Sequence, residues 1–129
     1  MEKQIQIYGK VLLPLSKSIS NRLLLIQALM GEECSMEQLS DSDDTRYMFQ
    51  ALHSPDSCLD IGHAGTAMRF LTAFFAQKRG EWEITGSERM KQRPIKILVD
   101  SLRALGAQIE YVDHIGFPPL RIVGSELIG

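Results

Sequence analysis

The chain has 129 residues, the length of one ordinary domain, and 44% of them are hydrophobic, which is enough for a core. Charged residues make up 23% and the formal net charge is −2, so the composition gives no indication of a nucleic-acid partner. Apolar runs stay well short of the roughly 20 residues that cross a bilayer, and the N-terminus has no signal-peptide core. We therefore expect no membrane partner and a cytoplasmic location.

The beginning of the chain is predicted to form two short strands and a helix. Residues 4–8 alternate between polar and apolar side chains, and residues 11–13 are a short apolar run, so both are predicted strands. Apolar residues at helical spacing then predict a helix over residues 18–30. The hydroxyl of Ser18 or Ser20 is expected to cap it by accepting a hydrogen bond from a free backbone N–H group.

Strands and helices continue to alternate in the middle of the chain. Loose alternation predicts a strand over residues 33–39. The run of Ser and Asp at residues 40–44 is predicted to cap a second helix, which ends at Pro55. Asp41, Asp43 and Asp44 in this run are interpreted as helix-start carboxylates and not as metal ligands.

Two more helices and four more strands follow. The predicted strands cover residues 57–61, the stretch with Trp82 and Ile84, and residues 109–112 and 120–123. The predicted helices run from the loop at 62–66 to Gly80 and from Pro94 to Gly106. A polar loop covers residues 87–93. Helices that alternate with strands indicate an α/β protein. The order of elements nearly repeats from the first helix onward, which indicates a duplicated unit.

Basic residues are concentrated where the predicted helices begin. Lys17 and Arg22 accompany the first helix, Arg69 follows the glycine-flanked loop at 62–66, and Arg89 and Arg93 precede the last helix. A helix N-terminus carries partial positive charge and free N–H donors, and Arg grips a carboxylate or phosphate with paired hydrogen bonds. The pattern therefore favours a small anionic ligand, although solvated surface cations would produce the same pattern.

Four of these stretches, taken in order, resemble the 5-enolpyruvylshikimate-3-phosphate synthase family. They are Leu13-Pro14-Leu15-Ser16-Lys17-Ser18-Ile19-Ser20-Asn21-Arg22, Ser40-Asp41-Ser42-Asp43-Asp44-Thr45-Arg46-Tyr47-Met48, Gly62-His63-Ala64-Gly65-Thr66-Ala67-Met68-Arg69-Phe70 and Arg89-Met90-Lys91-Gln92-Arg93-Pro94-Ile95. The resemblance implies transfer of the enolpyruvyl group of phosphoenolpyruvate to the 5-hydroxyl of shikimate 3-phosphate, with release of phosphate. It implies no metal or organic cofactor.

The resemblance also assigns binding residues, each carried over by motif onto this sequence. They are Lys17 for both substrates, Ser18 and Arg22 for shikimate 3-phosphate, Gly65 (through its backbone) and Arg93 for phosphoenolpyruvate, and Thr66, Arg69 and Arg89 for the shape of the pocket. Lys17 is also the expected catalytic residue. The sequence departs from the family at Leu15, where Gly is usual, and at His63, where Asn is usual.

The family fold implied is an inside-out α/β barrel of repeated β-α-β-α-β-β units. Members are much longer than this chain and have two domains of three units each. Residues 1–13 are expected to be strands that belong to, or cross to, the other domain, and residues 14–129 to be the first unit and most of a second. The chain is thus expected to be an N-terminal fragment, inactive alone, whose partner is the missing C-terminal part of the same enzyme.

Two alternatives remain. The related enolpyruvyl transferase that acts on UDP-N-acetylglucosamine shares the fold, but it has a catalytic Cys in a loop, and neither Cys34 nor Cys58 lies in such a loop. Both cysteines are predicted to be reduced thiols that fill the core. The other alternative is a small anion-binding α/β module that needs no further domain.

Overall fold

The computed structural model describes residues 6–128. The first helix, α1, comprises Lys17–Met30, and the hydroxyl of Ser16 caps it by accepting a hydrogen bond from the Ile19 amide at 3.4 Å. The predicted caps, Ser18 and Ser20, are wrong, because the helix begins one residue earlier than expected. Ser20 is instead buried, and its Oγ accepts a hydrogen bond from the Ser40 amide at 2.8 Å.

The segment before α1 is extended and exposed. Residues 6–8 and 11–13 are not in strands, so the strand predictions there are wrong; residues 4 and 5 of the first predicted strand lie outside the described part. Leu12 is 83% exposed. Alternation shows that a segment is able to pair, but a strand forms only when a neighbouring strand takes its hydrogen bonds. The assignment of residues 1–13 to a second domain stays a prediction.

The segment between α1 and the next helix contains a short turn of 3-10 helix, Met36–Gln38, where a strand over 33–39 had been predicted. Helix α2 comprises Asp43–His53, and the Ser42 hydroxyl caps it through the Thr45 amide at 3.3 Å. The predicted capping role of the run 40–44 is confirmed at Ser42, whereas Asp41 lies before the cap and outside the helix. Asp43 and Asp44 occupy the first turn, where the helix dipole favours carboxylates.

The rest of the chain forms one complete β-α-β-α-β-β unit. Its elements are β1 (Cys58–Asp60), α3 (Gly65–Gln77), β2 (Gly80–Thr85), α4 (Lys96–Ala104), β3 (Gln108–Tyr111) and β4 (Leu120–Gly124). The strands make one sheet in the order β1-β2-β4-β3, in which β1 and β2 are parallel and the other pairs are antiparallel. Residues 6–57 contribute helices but no strand, so a complete unit occurs once within residues 6–128.

The core lies between this sheet and the helices. Helix α3 is its centre, because Leu71, Phe75 and other apolar residues on more than one of its faces are buried against β2, β4, α1 and α2. In the sheet, Ile84 of β2 is paired with Leu120 of β4, and both are fully buried. The α/β class predicted from the sequence is confirmed.

The surface exposes an apolar stripe on α1 and one of the two cysteines. Helix α1 exposes an apolar stripe at helical spacing on the side opposite its buried residues, formed by Ile19, Leu23, Ile26 and Met30. Cys58 is exposed and Cys34 half-buried, so the prediction that both thiols fill the core is wrong for Cys58. Within residues 6–128, none of the helices has the length and apolar character that crossing a membrane requires.

Candidate functional site

The N-terminus of α1 presents three of the predicted binding residues. Lys17 is the first residue of the helix, and Ser18 and Arg22 lie one turn apart on the same face, both exposed. The first turn contains no acidic residue. Because the first N–H groups of a helix lack acceptors within it, this end combines free donors with nearby cations.

An acidic residue from α2 contacts this end of α1. The Asp44 Oδ1 atom lies 3.7 Å from the Lys17 ammonium, and Asp44 Oδ2 accepts a 3.0 Å hydrogen bond from the side-chain amide of Asn21. The sequence predicts Asp44 only as a helix-start carboxylate and indicates no role for Asn21. The sequence does contain a signal for this contact. The first turn of the second helix has two carboxylates, Asp43 and Asp44, and the helix before it begins with the basic Lys17.

The N-terminus of α3 has no side-chain cap. Ala64 precedes the helix and offers no side-chain cap, so no side chain competes for the first backbone N–H groups. Gly65 begins the helix, and the Arg93 guanidinium lies so close to it that a Cβ there would stand 2.2 Å from Nη1. Thr66 follows, half-buried. Glycine therefore lets a cation approach this helix N-terminus directly.

The loop that carries Arg89 and Arg93 is held against α3 by its own contacts. The Arg69 guanidinium donates to the carbonyl oxygens of Gly65 at 3.2 Å and Pro94 at 3.5 Å. The Ser87 amide donates to the Gly62 carbonyl at 2.9 Å. Met90 is buried and anchors the loop, because its amide also donates to the Ser87 hydroxyl at 3.2 Å. These contacts hold the arginines near the start of α3.

Arg89, Arg93 and His63 line a cavity of about 360 Å³ together with Met90. Its dimensions suit a small anion, and its lining supplies two guanidinium groups to hold one. His63 Nε2 lies 3.8 Å from Asp43 Oδ2 and packs edge-on against Tyr47, with ring centroids 5.9 Å apart. The first turn of α2 thus contacts both the α1 cluster (Lys17, Ser18 and Arg22), through Asp44, and the lining of this cavity, through the contact of Asp43 with His63.

The predicted site residues therefore form two clusters that α2 connects. Lys17, Ser18 and Arg22 belong to α1, whereas Gly65, Thr66, Arg69, Arg89 and Arg93 surround the start of α3. The carboxylates of Asp43 and Asp44, in the first turn of α2, partly neutralise the positive charge of these two clusters. In the described part of the chain, no group of three or more His, Cys, Asp or Glu side chains is arranged to hold a metal ion.

Comparison with protein-family models matches the whole chain to one family. Residues 1–55 and 52–129 match the model described as EPSP synthase (3-phosphoshikimate 1-carboxyvinyltransferase). A 3-phosphoshikimate 1-carboxyvinyltransferase from Bacteroides fragilis strain YCH46 is 56% identical over 124 residues, which cover 96% of this chain and 30% of that protein. The protein of the same name from Photobacterium damsela subsp. piscicida is 43% identical over 149 aligned positions, covering 95% and 35%.

Solved structures show the same fold. An EPSP synthase from Acinetobacter baumannii superimposes with a TM-score of 0.76 at 24% identity, over 93% of this chain and 33% of that one. The chain therefore spans about a third of the length of the relatives it matches. Since this chain matches the family model along the chain's whole length and the Bacteroides protein is identical at more than half of the aligned positions, the chain belongs to the EPSP synthase (3-phosphoshikimate 1-carboxyvinyltransferase) family.

Proposed function

We propose that this chain supplies part of the substrate site of an enzyme that transfers the enolpyruvyl group of phosphoenolpyruvate to the 5-hydroxyl of shikimate 3-phosphate and releases phosphate. The observation that carries the proposal is the Arg93 guanidinium against Gly65, at an uncapped helix N-terminus beside a cavity that Arg89 also lines. Two guanidinium groups and free backbone N–H donors suit the phosphate and carboxylate of phosphoenolpyruvate.

The α1 cluster is proposed to hold the second anionic substrate. Ser18 and Arg22 share one exposed helix face and would bind the phosphate of shikimate 3-phosphate, while Lys17 lies at the start of α1, where it would contact both substrates. Thr66, Arg69 and Arg89 would shape the pocket, Arg69 by holding the loop to α3. In this arrangement Lys17 stabilises charge that develops on the reacting atoms.

Binding two anions does not complete the reaction, because proton transfer needs an acid and a base within reach of the reacting atoms. Carboxylates near the site are already engaged: Asp44 with Lys17 and Asn21, and Asp43 with Arg46. We propose that the remaining groups come from the part of the enzyme that the relatives have beyond the matched third. The isolated chain would then be inactive, and its partner would be that remaining part, in the cytoplasm.

A chimeric enzyme tests the proposed activity. The matched segment of the Bacteroides fragilis relative is replaced by this chain, and phosphate release from phosphoenolpyruvate is measured with and without shikimate 3-phosphate. We expect release that depends on shikimate 3-phosphate, and a loss of at least about a hundredfold in kcat/KM for the same chimera with Lys17→Ala, typical for a charge that acts on the transition state. A chimera that folds and binds both substrates but is inactive with native Lys17 would contradict the proposal.

Binding by the isolated chain tests the site itself. Inorganic phosphate and shikimate 3-phosphate are titrated while backbone amides are followed by NMR, and shifts are expected at residues 17–22 and 63–69. Exposed charge-assisted contacts are weak, so we expect dissociation constants of about 1 mM or higher, and weaker binding as salt is added. Shifts spread evenly over all surface cations would show that no site has formed.

A further inference from the structure

Asn21 is a buried polar residue whose side-chain hydrogen bond goes to a different helix from the one that contains it. Its side chain is inaccessible to solvent, its Nδ2 group donates to Asp44, and its Oδ1 atom has no hydrogen-bond partner among the described residues. A buried amide with an unpaired oxygen costs stability, and an apolar side chain of similar size would avoid that cost. The contact with Asp44 is therefore the feature of Asn21 that needs an explanation.

The two carboxylate oxygens of Asp44 have different partners. Oδ2 accepts the hydrogen bond from Asn21 at 3.0 Å, and Oδ1 faces the Lys17 ammonium at 3.7 Å. The Asp44 side chain is only 13% exposed, so neighbouring atoms restrict its movement. Because Asn21 holds one oxygen, rotation of the carboxylate is limited and the other oxygen stays directed toward Lys17.

Lys17 and Asn21 lie one turn apart on the same face of α1, and Asp44 reaches both from the first turn of α2. A lysine side chain has many rotamers, and ordering it on binding reduces affinity. The Lys17 side chain is 49% exposed and would sample them freely without a partner. An ion pair that orders the ammonium before the ligand arrives removes part of that loss.

We propose that Asn21 is a positioning residue that orders the Lys17 ammonium through Asp44, so that the α1 cluster is arranged for an anionic phosphate ligand before binding. The inference rests on the proposed function, because that function explains why the Lys17 side chain would need to be ordered. The order of the Lys17 side chain is itself measurable without any ligand.

Asn21→Leu is the variant that isolates this effect. Asp44→Asn would remove a negative charge as well as the contact, and these changes have opposite effects on anion binding. Asn21→Leu leaves every charge in place and removes only the donor to Asp44. Asn21→Ser, whose shorter side chain does not reach Asp44, serves if the leucine variant does not fold.

Ser20→Ala is the matched control. Ser20 is the buried neighbour of Asn21 on α1, and its hydroxyl also connects α1 to the segment before α2, through the Ser40 amide at 2.8 Å. Its removal loosens the same helix junction without touching Asp44 or Lys17. A purely structural role for Asn21 predicts that both substitutions have the same consequences.

The experiment has a ligand-free part and a binding part. In the first, ¹³C relaxation at Lys17 Cε is expected to show an ordered side chain in the native chain and in Ser20→Ala. In Asn21→Leu we expect it to be as mobile as the exposed Lys10. In the second, the dissociation constant for inorganic phosphate should rise about threefold in Asn21→Leu, and Asn21→Leu should add nothing in a Lys17→Ala background.

Unchanged order at Lys17 in Asn21→Leu, or the same loss of order in Ser20→Ala, would overturn the inference. An effect of Asn21→Leu on phosphate binding that persists in full without Lys17 would also overturn it. If Asn21→Leu mobilises Lys17 but the native chain does not bind phosphate at all, the positioning of Lys17 is supported and the proposed function of the site is what fails.

Discussion

The guanidinium of Arg93 lies against the backbone of Gly65, so close that a Cβ added at Gly65 would stand 2.2 Å from Nη1 and 2.8 Å from Cζ. The contact joins the loop before α4 to the first residue of α3. The atoms that crowd this Cβ belong to the far end of a flexible side chain and not to the backbone. A larger residue at position 65 would therefore displace Arg93 without breaking the fold.

Gly65→Ala is predicted to reduce phosphate binding while leaving the chain folded. We expect the free energy of unfolding to change by less than about 1 kcal/mol, because alanine favours a helical position and Arg93 is able to move away. The phosphate dissociation constant should rise severalfold, as measured by the NMR titration. Gly9→Ala is the control, since nothing lies within 4 Å of a Cβ at Gly9. Native-like phosphate binding by Gly65→Ala would contradict the role given to Arg93.

Two leucines are predicted to lose very different amounts of stability on the same truncation. Leu24 of α1 is 1% exposed, whereas Leu12, in the extended segment before α1, is 83% exposed. Leu24→Ala should lower the free energy of unfolding by about 2–5 kcal/mol, and Leu12→Ala by less than about 0.5 kcal/mol. Urea denaturation measures both. A large loss in Leu12→Ala would show that the segment before α1 packs against the protein in solution.

The phenol of Tyr111 is predicted to make stability depend on alkaline pH. Burial raises the pKa of Tyr111 above its ordinary value of 10.0, and the nearby Arg103 guanidinium opposes that effect. Since the folded-state pKa lies above the unfolded one, stability is fully present below pH 10.0 and falls as pH rises through the folded-state pKa. Denaturation at increasing pH measures this fall.

Tyr111→Phe should reduce that dependence. The Tyr111 hydroxyl is buried, without a hydrogen-bond partner among the described residues, so its removal at pH 7 should be neutral or raise the free energy of unfolding by about 1 kcal/mol. Tyr8→Phe, at an 86% exposed residue, is the control and should retain the alkaline fall. An unchanged fall in Tyr111→Phe would assign it to other groups.

The exposed apolar stripe of α1 is predicted to limit solubility and not to support the fold. Ile26 is 52% exposed on the face opposite the core. Ile26→Lys should change the free energy of unfolding by about 0.5 kcal/mol or less and reduce aggregation, measured by light scattering at rising concentration. Leu24→Lys, which buries a charge two positions away, should unfold the chain. A marked loss of stability in Ile26→Lys would show that the stripe is covered in solution.

The sequence by itself determined the four helices and the four strands from residue 58 onward. Hydroxyl caps, glycines and hydrophobic spacing act within a few residues of the chain, and so does the hydrogen bonding of a helix. The same local signals indicated anion-binding helix starts at Lys17 and at Gly65, and the four motifs indicated the family that the comparisons confirm.

Only the tertiary structure decided which groups meet. Residues 6–8 and 11–13 have strand-like patterns but form no strand, because pairing requires a neighbour that a local pattern cannot provide. The contacts of Asn21 with Asp44, and of Arg93 with Gly65, join residues far apart in sequence. Charge and spacing along the chain identify such residues as candidates, but the packing of α1, α2 and α3 determines their distances.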